Sequence, residues 1–174
     1  LPAIRDKTGA ILSVSAIEGP PNLNRAQFDI ALFFDPAEGA VEVMALGADE
    51  VFPVCSTMLA ADIQADGLTR ATLLSDAAWA SDWPLWSGAA APDGPVFSLY
   101  ALAVAEAVSG AGVLMGHEHL VRAHLEEGLL IAPFAKRVAT GKRLTLSLAT
   151  GAGQQAAAVA RQLAASQSVE NAAG

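Results

Sequence analysis

The chain has 174 residues, 53% of them apolar, and a formal net charge of −8. That length suffices for one domain with a real core or two small lobes sharing one. The acidic balance argues against a nucleic-acid surface, which needs several lysines or arginines on one face, and no uncharged apolar run approaches the roughly 18–20 residues of a membrane span.

Leu1 to Lys7 reads as the tail of a helix, stopped at Gly9. ILSVSAI (Ile11 to Ile17) alternates apolar and small polar residues, the period of a strand. After the break at GPPN, DIALFF (Asp29 to Phe34) reads as a fully buried strand. A crossover separates it from Ile11–Ile17, so a parallel pairing of the two is expected. VEVMAL and DEVFPVCS form two extended runs about Gly47, a hairpin or a crossing point between lobes. Cys55 is the single cysteine. It excludes an internal disulfide and, within VFPVCS, reads as a buried inert thiol.

Ser56 or Thr57 is placed to cap a helix through MLAADIQA that ends at Gly67. LTRATLLS is ambiguous between strand and helix. Trp79, Trp83 and Trp86 in DAAWASDWPLWSG read as satellite core packing rather than a ligand-stacking platform. The stretch from Phe97 to Pro133 organises the chain as strand, helix, strand, helix, strand. In it FSLY precedes an apolar helix from Ala101 to Val108. SGAG stops that helix, because glycine accepts the left-handed conformation of a helix C-terminus. VLM fits a short buried strand, Gly116 opens a turn, and His117 to Glu127 has helical spacing up to Gly128. A helix as apolar as the first must be covered on several sides, which suits packing on a sheet. A polar loop over Ala135–Lys142 follows, and Lys136, Arg137, Lys142 and Arg143 form a loose basic cluster that reads as solvated. RLTLSLAT then alternates as a strand, and an alanine-rich helix frays into the C-terminal tail.

No catalytic constellation assembles from these residues. His117, His119 and His124 lack the HExxH spacing of a zinc helix and read as solvated or capping side chains. Cys55 or Ser56 lacks the strained turn that activates a nucleophile, and no GxSxG occurs. SGAG is not a dinucleotide fingerprint. No cofactor and no metal are expected. Ligand binding needs less: helix N-termini offer free N–H groups and partial positive charge, and Ser56, Thr57, Ser98 and Tyr100 offer hydroxyls.

Taken in order, DIALFF, VFPVCS, DWPLW, FSLYALAVAEAVSGAGVLMG and LEEGLLIAPF resemble the effector-binding domain of LysR-type transcriptional regulators. The similar subgroup includes the glycine-cleavage activator. The resemblance covers nearly the whole chain. It implies an α/β fold of two Rossmann-like lobes joined by crossing strands, like a type II periplasmic binding protein, with a small-molecule effector between them. Lobe I would take residues 1–47 and 135–174, and lobe II residues 48–134. The family's effector positions fall on Ser56, Thr57, Ser98, Leu99, Tyr100, Gly116 and His117 of lobe II. On lobe I they fall on Glu18, within the turn Ile17 to Gly19, and on Phe33 and Phe34. Phe33 stands where the subgroup commonly has arginine, which implies an apolar cleft floor. PVCSTML departs from the subgroup in lacking the usual Pro and Tyr after PVCS.

The resemblance further implies a cytoplasmic homo-oligomer, with this domain as a dimer and the full protein as a tetramer, and no membrane partner. Promoter DNA would be bound only through a winged helix-turn-helix outside this chain. LPAIRDKTG has no initiator Met and no secretion leader, so the chain is expected to be a processed form or a fragment lacking the first strand of lobe I. A solute-binding protein of a transporter is the alternative reading. A third is a small α/β enzyme using His117 with Ser98 or Cys55.

Overall fold

The computed structural model describes residues 2–17, 19–90 and 93–172. In chain order the elements are α1 (Pro2–Thr8), β1 (Ile30–Phe33), β2 (Ala40–Ser56), α2 (Ala60–Asp66), β3 (Leu73–Asp76), α3 (Asp82–Ser87) and β4 (Val96–Phe97). Then follow α4 (Tyr100–Ser109), β5 (Val113–His117), α5 (Glu118–Glu126), β6 (Leu130–Ile131), β7 (Val138–Ala149) and α6 (Gln154–Ala172). The hydrogen-bonded strand order is β1-β7-β2-β5-β3-β4, with β6 on β2 off this path. Two units divide the chain, Leu1–Ala48 with Gly141–Gly174 and Asp49–Thr140. The long strands β2 and β7 each run through both. The second boundary falls beyond the expected residue 134 because the intervening residues engage the second unit. The Lys136 carbonyl accepts the Trp86 indole N–H at 3.0 Å, Arg137 lies over the Phe52 ring at 3.9 Å, and Val138 packs against the cluster containing Trp83.

In the first unit, Ile4, Ala10 and Val159 form a small core with Leu12, Ile30 and Leu163. Strand β1 runs antiparallel to β7, with Ile30 opposite Leu148 and Phe33 opposite Thr145. This corrects the expected parallel pairing with Ile11–Ile17, which forms no strand. Ile11 and Val14 are 98% and 70% exposed. An alternating pattern marks a segment able to present one face, but a strand exists only where a neighbour completes its backbone bonds. Nor is DIALFF fully buried: β1 ends the strand order, and Leu32 points outward at 48% exposure.

In the second unit, β5 pairs antiparallel with β2 and parallel with β3, which pairs parallel with β4. The run from Val51 to Ser56 is buried throughout, as befits strands covered on both faces. One face packs Phe52, Val54, Leu74 and Leu114 against Ala103, Val104 and Ala107 of α4 and Val121 of α5. The other packs Val51, Cys55, Val113 and Met115 against Ile63 and Trp83. Each of the larger side chains contributes about 1.5–3 kcal/mol by leaving water.

Several local expectations change. Residues 40–56 are one continuous strand rather than two runs about Gly47, and β7 takes in part of the expected polar loop. Ser56 does not cap α2. It is still held in the ladder opposite Leu130, so the helix begins only at Ala60, with Leu59 as an N-cap that makes no side-chain bond. Gly116 opens no turn but lies inside β5 opposite Phe52. A Cβ there would meet Val54 Cγ1 at 2.8 Å and Val121 Cγ2 at 3.1 Å, so glycine is what lets α5 close on the sheet. Helix α4, apolar almost all round, is covered on one face and leaves Ala101, Leu102 and Ala105 exposed. The small alanines keep that outer face thin.

Candidate functional site

The second unit brings one histidine and two carboxylates together in its interior. His117 ends β5 and is the N-cap residue of α5. Its side chain is fully buried. Because β2 pairs with β5 with Val51 opposite His117, Asp49 lies alongside, and its Oδ2 is 2.8 Å from His117 Nδ1. On the other side Asp82, the first residue of α3, places Oδ2 3.0 Å from Nε2. Both aspartates are buried, and the Thr140 hydroxyl donates to Asp49 Oδ2 at 2.9 Å. A carboxylate facing each ring nitrogen favours a proton on both, the imidazolium form. Burial pushes the His117 pKa down, but the hydrogen bonds and charges of Asp49 and Asp82 outweigh it and hold the group above its ordinary 6.5.

Aromatic rings close around this cation. The Trp79 ring lies 4.2 Å from that of His117 and the Tyr100 ring 5.6 Å, centroid to centroid. The Tyr100 hydroxyl donates to the Met115 carbonyl at 3.0 Å and accepts the His117 backbone N–H at 3.1 Å. Burial pushes this phenol far above its usual range, so it stays neutral. Tyr100→Phe strips partners from both backbone groups. We expect it to cost about 1–3 kcal/mol, read as a lower urea midpoint with unchanged m; an unshifted midpoint would show the bridge to be dispensable.

The expected binding positions separate into several groups. Tyr100, Gly116 and His117 come together, Tyr100 and His117 through a hydrogen bond. The expectation that the histidines are solvated or capping is corrected for His117, whose ring is fully buried and whose side chain makes no cap bond. Ser56 Oγ is buried without a hydrogen-bond partner and lies on the side of Gly110, where a glycine Cβ would sit 3.4 Å from it. Thr57 and Ser98 are exposed, and Leu99, half-buried, is the N-cap residue of α4 and makes no side-chain cap bond. In the first unit Phe34 is buried, and the Phe33 carbonyl accepts the Thr145 hydroxyl at 3.0 Å. Glu18 lies outside the described residues.

Asp49, Asp76, Asp82 and Thr140 were not anticipated from the sequence. The one available signal was an acid set beside apolar or aromatic runs, as in ADEVFPV and SDW. Among the described residues no group of three or more His, Cys, Asp or Glu side chains could hold a metal ion. Cys55 is buried, and burial raises its thiol pKa. That is the opposite of nucleophile activation. With both nitrogens engaged by aspartates, His117 is not free to serve as a base.

No family model matches the chain. The HTH-type transcriptional regulator DsdC of Escherichia coli (strain K12) is 35% identical over an alignment of 157 positions that covers 77% of this chain and 50% of that protein. The glycine cleavage system transcriptional activator of the same organism is 26% identical over an alignment of 137 positions that covers 72% of this chain and 45% of that protein. The chain thus spans about half the length of the curated relatives it matches. In fold it is similar to the effector domain of the transcriptional regulator AmpR of Pseudomonas aeruginosa. The TM-score is 0.73 at 23% identity, over 97% of this chain and 88% of that one. Among the described residues no helix is long and apolar enough to cross a membrane.

Proposed function

The chain belongs to the effector-binding domains of LysR-type transcriptional regulators, and from that premise we propose that it binds a small molecule and passes the bound state on to promoter binding by the whole protein. The observation that carries this reading is the likeness of nearly the whole chain to an effector domain. Within the second unit the direct contacts we assign are the exposed hydroxyls of Thr57 and Ser98. They act with the first turn of α4, whose N-terminal N–H groups receive no side-chain cap and so suit an acceptor or anionic group. Ser56, Leu99, Tyr100 and Gly116 shape the surroundings. His117 serves through Tyr100, because its ring is fully occupied. Phe33 and Phe34 are the assigned positions of the first unit.

We read the site as one of binding, not catalysis: the histidine is locked and the thiol is buried. The whole protein would act in the cytoplasm as a homo-oligomer, dimeric through this domain and tetrameric overall, and would reach DNA through a separate domain. To turn a 1:99 balance of two states into 99:1, the effector must favour one by about 5.5 kcal/mol. A few desolvated hydrogen bonds and some buried ligand surface meet that requirement.

Thermal-shift screening of small metabolites should find a ligand that raises the melting temperature of this chain in a saturable way. Calorimetry with that ligand should then show Thr57→Ala and Ser98→Ala each weakening binding about tenfold, or ~1.4 kcal/mol, with the ligand-free melt unmoved. An affinity indifferent to both changes, or a melt that falls with it, would defeat this placement of the site.

A further inference from the structure

Beside His117 lies a small cavity of about 10 Å³, room for one water-sized group. Its lining includes the buried Asp76, Asp82 and Trp83 and the half-buried Ser75, Trp79 and Tyr100. Asp76 is 3% exposed. Its Oδ1 accepts the Ala78 N–H at 2.8 Å, but Oδ2 is buried without a hydrogen-bond partner. The charged groups gathered here do not balance. Among the described residues named here, Asp49 from β2, Asp76 from β3 and Asp82 from α3 face one cation, His117 from β5, and the polar neighbours Ser75 from β3, Tyr100 from α4 and Thr140 from β7 are neutral. A buried carboxylate oxygen without a partner is costly, and a second positive group beside Asp76 would remove that cost. Aromatic side chains suit such a cation further, since their faces carry negative charge density. Burial raises the Asp76 pKa and outweighs the Ala78 and Trp79 N–H groups, which lower it; the charge of Asp82 raises it further and that of His117 lowers it.

We propose that this cavity is a subsite for the ammonium head of a primary amine, with Asp76 as its counter-ion and Trp79, Trp83 and Tyr100 as its aromatic lining. The volume admits the –NH₃⁺ group alone, so the rest of the molecule would extend past Ser75 and Trp79. An effector anchored here therefore belongs to the class of primary amines. This deepens the sensing reading and rests on it only for the purpose of the ligand, because binding is measured on this chain directly.

The test follows the indole N–H resonances of Trp79 and Trp83 in the 174-residue chain at constant ionic strength. Ethanolamine, glycine and methylammonium are titrated, with potassium chloride and glycolate as amine-free controls. Saturable shifts are expected with the amines and none with the controls. In Asp76→Asn, which keeps the Oδ1 acceptor for Ala78, amine affinity should fall about tenfold or more. Ammonium chloride separates the two sources of the cation. If it saturates as readily as ethanolamine, the free ion is the occupant; if ethanolamine binds more tightly, the head of a larger molecule is. Shifts with glycolate equal to those with glycine, no saturable shift with any amine, or amine affinity unchanged in Asp76→Asn would each overturn the subsite. An effector without an amine that depended on Thr57 and Ser98 would also overturn it, while leaving the sensing function standing.

Discussion

His117→Leu is expected to lower the folding stability of this chain by about 3–5 kcal/mol, a drop in melting temperature on the order of 10 °C at this size. The leucine matches the ring in apolar bulk but leaves the Asp49 and Asp82 carboxylates buried and facing each other without the cation between them. The cost is therefore mainly electrostatic rather than a loss of packing. A double-mutant cycle separates the two contributions. In an Asp49→Asn, Asp82→Asn background the same leucine should cost much less, because no buried negative charge is stranded. Equal costs in both backgrounds would show that the histidine serves only to fill space.

The pH dependence has a definite sign. The folded pKa of His117 lies above its ordinary 6.5, so the folded state binds the proton more tightly than the unfolded chain does. The stability it supplies is fully present below about 6.5 and is lost as pH rises through the folded value. The raised pKa of Asp76 acts in the same direction in the acid range, where the folded state again holds more protons. Urea midpoints of the wild type should fall from pH 6.5 upward, and His117→Leu should remove that part of the slope. A wild-type midpoint that climbs over this window would contradict a charged His117.

The elements that were legible in the sequence are those marked by local chemistry. Helix α4 stops at Ser109 because Gly110 takes φ 88°, α5 gives way to Gly128 at φ 69°, and the alternation of RLTLSLAT forms the second half of β7. What misled was partner choice. Ile11–Ile17 has the pattern of a strand, but pattern does not supply a neighbour, and β1 pairs with β7 instead, well over one hundred positions away. Gly116 looked like punctuation, yet its role is to leave space for Val54 and Val121. The site divides in the same way. Tyr100 and His117 stood among the anticipated positions, and the fold joins them. The aspartates that fix the histidine come from 68 and 35 residues away, a separation at which no spacing rule operates. A histidine in an acidic chain reads as solvated until the sheet register shows which carboxylates flank it.

The tryptophan segment carries the other large expected effect. Of its three rings, which the sequence presents as one satellite cluster, Trp83 and Trp86 meet edge to face at 6.4 Å between centroids. Trp79 lies against His117. Trp86 meets Phe134 at 5.7 Å between centroids, with Lys136 over its ring at 5.1 Å. Trp83 alone belongs to the core: it is 4% exposed, packs with Val51, Ile63, Val113 and Met115, and donates its indole N–H to the Leu74 carbonyl at 2.9 Å. Trp83→Ala should therefore cost about 3–5 kcal/mol by leaving a cavity under the sheet. Trp83→Phe keeps most of the apolar bulk but leaves the Leu74 carbonyl without that donor, for about 1–3 kcal/mol. Trp86→Ala should cost less than either, since its ring is half-buried and its lysine contact is solvated. Equilibrium unfolding of the three variants gives the order directly. If Trp86→Ala proved the most damaging, the core of the second unit would be centred on the segment around Phe134 rather than on the face shared by β2, β5 and α3.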